Sequence, residues 1–77
     1  MTALSLDATN LRCPLPIIKL AKFAQNLPGG TVIEVAVSDP AAEYDIPAWA
    51  RMKGHLITGA TPRTADSPNF TVTITLR

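Results

Sequence analysis

A second cysteine is missing from this sequence of 77 residues, in which Cys13 stands alone. No disulfide can close within the chain, which excludes a disulfide-stapled secreted scaffold and makes a reducing compartment the natural home of a free thiol. An excess of either charge is missing as well. Seven basic against six acidic residues leave a formal net charge of +1. That balance provides no broad electrostatic footprint for nonspecific nucleic-acid binding, although Arg12, Lys19 and Lys22 can form a local basic patch. No apolar run approaches the roughly 20 residues that cross a bilayer, and the first residues show neither the basic start nor the apolar core of a signal peptide. The expectation is a cytoplasmic location, without membrane insertion or direct nucleic-acid binding.

Zinc-type cysteine and histidine spacings do not occur, so a metal centre is not expected. Gly29 and Gly30 carry no Walker lysine pattern and no helix follows them, so they terminate a helix and do not cradle a phosphate. There is no internal repeat, linker or low-complexity segment. Apolar residues at 47% and charged residues at 17% place the chain among folded, water-soluble domains. A chain of this length buries only roughly 60% of the surface its unfolded form exposes, so one small domain over residues 1–77 must hold a complete core.

Alternation around Leu4 and Leu6 in residues 3–7, and of Ile33, Val35 and Val37 in residues 31–37, predicts two strands. The clearest strand is "NFTVTITLR", with Phe70, Val72, Ile74 and Leu76 on one face and Thr71, Thr73, Thr75 and Arg77 on the other. A weaker one is expected near 55–62. Ile17, Leu20, Ala21, Ala24 and Leu27 follow helical spacing, and Pro28-Gly29-Gly30 stops that helix. A shorter helix runs through Ile46, Trp49 and Ala50, with Asp45 as its N-cap, Pro47 in its first turn and Gly54 at its exit. The order βαβαββ, with crossovers between the first strands and a hairpin through Thr64 to Asn69, predicts an α/β two-layer sandwich. Both helices would pack on one face of a four-stranded mixed sheet.

The stretch "NLRCPLPIIKLAK" sets Cys13 before Pro14 and Pro16 at the start of the first helix. A residue before proline is pushed toward extended conformations, which suits Cys13 to the N-cap and Pro14 to the first helical position, whereas Pro16 makes Leu15 an alternative N-cap. Either way, the Leu15 and Ile17 amides and the positive end of the helix dipole are expected to face the sulfur. Together with Arg12 and Lys19 they would lower the thiol pKa from about 8.5. A free cysteine is often a buried apolar filler. The C-P-x-P placement favours chemistry instead. His55, beside Gly54 with no cysteine or carboxylate in ligand spacing, reads as structural, Asp39 and Asp45 as turn and cap residues, and Trp49 as core.

With "LDATNLRCPLP", the amphipathic helix and "SDPAAEYDIPAWARMKGH", the chain resembles the TusA/SirA-like sulfur-carrier family over nearly its whole length. Asn10 stands where that family often has glycine, and asparagine is among the residues that best tolerate left-handed backbone angles. The resemblance implies that Cys13 carries sulfane sulfur as a persulfide, with no other cofactor. It implies a carrier acting between a donor of the cysteine desulfurase or rhodanese type and an acceptor sulfurtransferase, in tRNA thiolation, cofactor sulfuration or sulfur oxidation, and the chain is separately expected to act as a monomer. In that scheme Arg12, Pro14, Leu15, Pro16 and Lys19 position the sulfur or support it electrostatically, and Ile18 and Lys22 contribute to partner docking. The lone cysteine fits such a relay, because a second thiol in the chain could capture the persulfide as a disulfide and release sulfide. The competing reading is a noncatalytic regulatory or interaction domain that docks through the surface of the first helix.

Overall fold

The computed structural model describes residues 3–61 and 69–77. It runs β1 (Leu4–Ala8), α1 (Leu15–Ala24), β2 (Val32–Val37), α2 (Ala42–Lys53), β3 (Leu56–Thr61) and β4 (Phe70–Thr75). The sheet order is β1-β2-β4-β3, with β1 parallel to β2 and with β4 antiparallel to both β2 and β3. The expected βαβαββ mixed sheet is therefore present. The loop expected at Thr64 to Asn69 lies outside the described residues except for Asn69.

Period-two alternation sorts the sheet into two faces. Leu6 and Ala8, Ile33, Val35 and Val37, and Phe70, Val72 and Ile74 all turn inward and form one cluster with Leu20 of α1 and Ile46, Trp49 and Ala50 of α2. Thr71, Thr73 and Thr75 on the opposite face are only half-buried, so both helices share one side. Each fully buried Ile or Leu contributes about 1.5–3 kcal/mol to this core, and among the described residues it holds no buried polar or charged side chain. Strand β3, the faintest in the sequence, is the edge strand and is exposed along most of its length, with a register shift between Ile57 and Gly59. It shows little alternation because so little of it is covered.

The second helix is longer than its apolar stripe suggests. It begins at Ala42, so Asp45 is not its N-cap, and Pro47 lies inside it. The chain turns into α2 at Asp39 instead, whose Oδ1 accepts the Ala41 amide at 3.0 Å, the Asx-type bond that favours aspartate in turns. At the other end the expected Gly54 exit holds. Gly54 takes φ 80°, its amide donates to the Arg51 carbonyl, and the His55 amide donates to that of Ala50, which is the Schellman pattern. His55 has the structural role expected of it: its ring packs on Trp49 with centroids 5.3 Å apart, and its Nδ1 accepts the Arg77 amide.

Asn10 has φ 65° and donates its amide to the Ser38 hydroxyl at 2.8 Å, tying the β1–α1 loop to the end of β2. Asn10→Gly should leave stability unchanged or slightly raised. Asn10→Val should cost about 1–2 kcal/mol, because a β-branched residue resists left-handed angles. Urea denaturation of the two variants checks this.

Candidate functional site

Parallel pairing of β1 with β2 brings the β1–α1 and β2–α2 connections together at the carboxyl ends of both strands, where open α/β sheets place their sites. The first connection presents Cys13, which is exposed and free. Its peptide bond to Pro14 is cis. Pro14 is the N-cap, Leu15 the first helical residue and Pro16 the second, so neither Cys13 nor Leu15 caps α1, and Pro14 stands one place before the helical position expected of it. The Leu15 amide donates to the Arg12 carbonyl at 2.7 Å, while the Ile17 and Ile18 amides both donate to the Pro14 carbonyl at 3.1 Å. Every available amide of the first turn therefore points at backbone oxygen. Pro16 has none to offer.

The second connection supplies what the sulfur meets. The Cys13 amide donates to Asp39 Oδ2 at 2.7 Å, and the Cys13 thiol donates to Asp45 Oδ2 at 2.8 Å. These contacts reverse the electrostatic expectation. The Cys13 thiol is pushed above its ordinary value, first by the hydrogen bond to Asp45, then by partial desolvation, then by the negative charges of Asp45 and Asp39. A carboxylate that accepts the S–H proton favours the neutral thiol, and no helix amide opposes it. Asp39 is held below the usual carboxylate range, first by the Cys13 amide, then by the Ala41 amide, and also by the Arg12 charge. Arg12 thus acts on Asp39. Lys19 donates to the Asp7 carbonyl oxygen, so its ammonium is engaged at the end of β1.

The direction of the thiol shift fixes a pH dependence. A raised pKa means less thiolate at neutral pH, and only the thiolate attacks electrophiles. The iodoacetamide reaction of the intact protein should therefore rise with pH about a midpoint above that of free cysteine, as read by mass spectrometry. A midpoint at or below the free value would contradict the Asp45 contact.

Around the sulfur, Pro14, Ile17, Ala48, Trp49 and Met52 line a shallow cleft between α1 and α2 that also contains Asp45. Of the apolar side chains on α1 and α2, Leu15 is 49% exposed, Ile18 44%, Tyr44 75% and Met52 73%. Lys22 belongs to another groove, shared with Lys53, His55 and Arg77. Pro16, by contrast, is buried and anchors the first turn of α1. Among the described residues no group of three His, Cys, Asp or Glu side chains is arranged to hold a metal ion, and no helix is long and apolar enough to cross a membrane.

This site lies within a stretch that has known relatives. The family model described as Sulfurtransferase TusA matches residues 4–75. The chain belongs to the TusA sulfurtransferase family. It is 40% identical over 55 residues to the Sulfur carrier protein TusA of Pseudomonas entomophila, a match that covers 71% of this chain and 69% of that protein. With the protein of the same name from Pseudomonas putida strain F1 it shares 40% identity over 50 residues, covering 65% of this chain and 62% of the relative. With YrkF of Bacillus subtilis it shares 42% over 50 residues, a stretch that is 65% of this chain but only 27% of YrkF.

Within this TusA-family chain the C-P-x-P motif locates the sulfur but not its polar partners. Asp39 and Asp45 lie 26 and 32 residues from Cys13, and in the sequence each looks like an ordinary turn or cap residue. The available signal is Asp39 directly before Pro40 and Asp45 two residues before Pro47. It marks turns in general and says nothing of which loop they face.

Proposed function

We propose that this chain is a sulfur carrier whose Cys13 accepts sulfane sulfur as a persulfide and passes it to a second protein. The observation that carries the reading is the exposed, solitary Cys13 sulfur, held on a loop whose backbone is fixed by Asp39 and by the proline-stiffened start of α1. Membership of the TusA sulfurtransferase family supports it. In the loading step the Cys13 sulfur attacks the outer sulfur of a donor persulfide, the donor's S–S bond breaks, and its thiol is released. The reverse geometry with an acceptor thiolate then unloads the carrier. No oxidant is consumed, and the covalently held sulfur is the only cofactor the cycle needs.

The donor is a protein persulfide of the cysteine desulfurase or rhodanese type, the acceptor is a sulfurtransferase, and the exchange takes place in the cytoplasm with the carrier as a monomer. Leu15 and Ile18 form the apolar docking rim, and Lys22 extends it with positive charge on α1. Incubation with a cysteine desulfurase and cysteine, followed by intact mass spectrometry, should add one sulfur atom to the wild-type chain and none to Cys13→Ala. Equal labelling of the two, or none on the wild type, would remove the basis of the proposal.

A further inference from the structure

The site contains one group that a simple nucleophile would not need. Asp45 enters from the first turns of α2, is half-buried, and its carboxylate accepts the Cys13 thiol. Of the other charged groups near the sulfur, Asp39 on the β2–α2 turn accepts the Cys13 amide, Arg12 acts on Asp39, and Lys19 on α1 is occupied by the Asp7 carbonyl. The remaining walls of the cleft are apolar, from Pro14 and Ile17 to Ala48, Trp49 and Met52. Among the described residues, the chain thus brings carboxylates to its sulfur and no cation to Asp45.

We propose that Asp45 is a positioning residue that holds the Cys13 sulfur in its thiol form in the free chain, and that a cationic side chain from a docking partner engages Asp45 and frees the sulfur to react. The inference deepens the sulfur-carrier reading and rests on it. It identifies the fitting partner as one that places an arginine or lysine next to its own reactive sulfur. Once the partner's cation occupies the carboxylate, the S–H bond loses its acceptor and the thiolate loses its repulsion. Cys13 then attacks the outer sulfur of R–S–SH. A new S–S bond forms, the donor's S–S bond breaks, and the departing sulfur takes up the proton that Cys13 gave up, leaving R–SH and Cys13–S–SH. Outside a complex the carrier stays quiet, which protects it from stray electrophiles.

Two measurements without any sulfur donor test this. In the first, iodoacetamide alkylation is followed across pH for wild type, Asp45→Asn and Asp45→Glu. Asp45→Asn should move the midpoint down and raise the neutral-pH rate roughly threefold to tenfold, one pH unit being tenfold. Asp45→Glu, which keeps the charge, should stay nearer wild type. A midpoint unmoved in a folded Asp45→Asn chain overturns the proposal. In the second, the wild-type chain is exposed to cystamine, a cationic disulfide, and to dithiodiglycolate, an anionic one. Cystamine should form the mixed disulfide roughly fivefold faster at low salt, as a charge pair a few ångströms apart in water implies, and the preference should shrink in high salt. Equal rates, or a preference for dithiodiglycolate, overturn the partner's predicted charge and need no variant to fold. If desulfurase loading fails while these shifts appear, the carrier reading falls and the hold of Asp45 on the thiol stands.

Discussion

Cys13→Ser is expected to abolish sulfur loading and transfer completely while leaving the folding stability within about 0.5 kcal/mol of wild type, the range for exposed substitutions. The side chain is exposed, so no core volume is lost. The Cys13 amide keeps its bond to Asp39, since that contact is made by the backbone, and a serine hydroxyl can donate to Asp45 as the thiol does. What disappears is the sulfur that forms the S–S bond. The pairing of an intact fold with a null transfer assay is what distinguishes a carrier from a noncatalytic docking domain. A docking domain would keep its biological activity in Cys13→Ser. Thermal unfolding beside a desulfurase-coupled transfer assay reads both quantities on one sample.

The largest effect on the fold is expected from Ile46→Ala. Ile46 is fully buried, one residue from Asp45, on the face of α2 that packs against the sheet. Truncating it removes transfer free energy and leaves a cavity, at a cost of about 2–5 kcal/mol. A domain of this size has about 4–12 kcal/mol to lose, and each kcal/mol moves the melting temperature by about 4–8 °C. A drop of about 8–40 °C follows, measurable by circular dichroism. The same substitution loosens the turn of α2 that carries Asp45, so the alkylation midpoint of Cys13 should move toward that of free cysteine under conditions where the variant is still folded. A melting temperature within a few degrees of wild type would mean that α2 is not anchored through Ile46.

The residues legible in the sequence were those whose role is periodic or local. The alternation of β4 and β2 and the apolar stripe of α1 are properties of neighbouring residues, and the structure places them as their spacing predicts, except that α1 already ends at Ala24, so Leu27 lies beyond the helix and Pro28-Gly29-Gly30 is not what stops it. Gly54 and Asn10 were legible for the same reason, since their left-handed angles are a property of the residue and its immediate turn. The start of α2 lies earlier than its apolar spacing predicts. Asp45 and Pro47 together imitate a helix beginning, and the turn that truly starts it, Asp39 bonded to the Ala41 amide, lies a few residues earlier in a stretch without apolar periodicity.

The site divides along the same line. By itself the sequence determined a βαβαββ sheet with both helices on one face and a solitary cysteine held by prolines at the head of α1, because backbone restriction and hydrophobic periodicity act between residues close in the chain. Only the tertiary structure decided the electrical state of that cysteine. Parallel pairing of β1 with β2 sets the β2–α2 segment against the β1–α1 loop, and Asp39 and Asp45 thereby reach a sulfur that its neighbours in the chain alone would place at a positive helix end. Electrostatic influence depends on distance through space, and chain folding brings together charges that the linear order keeps apart.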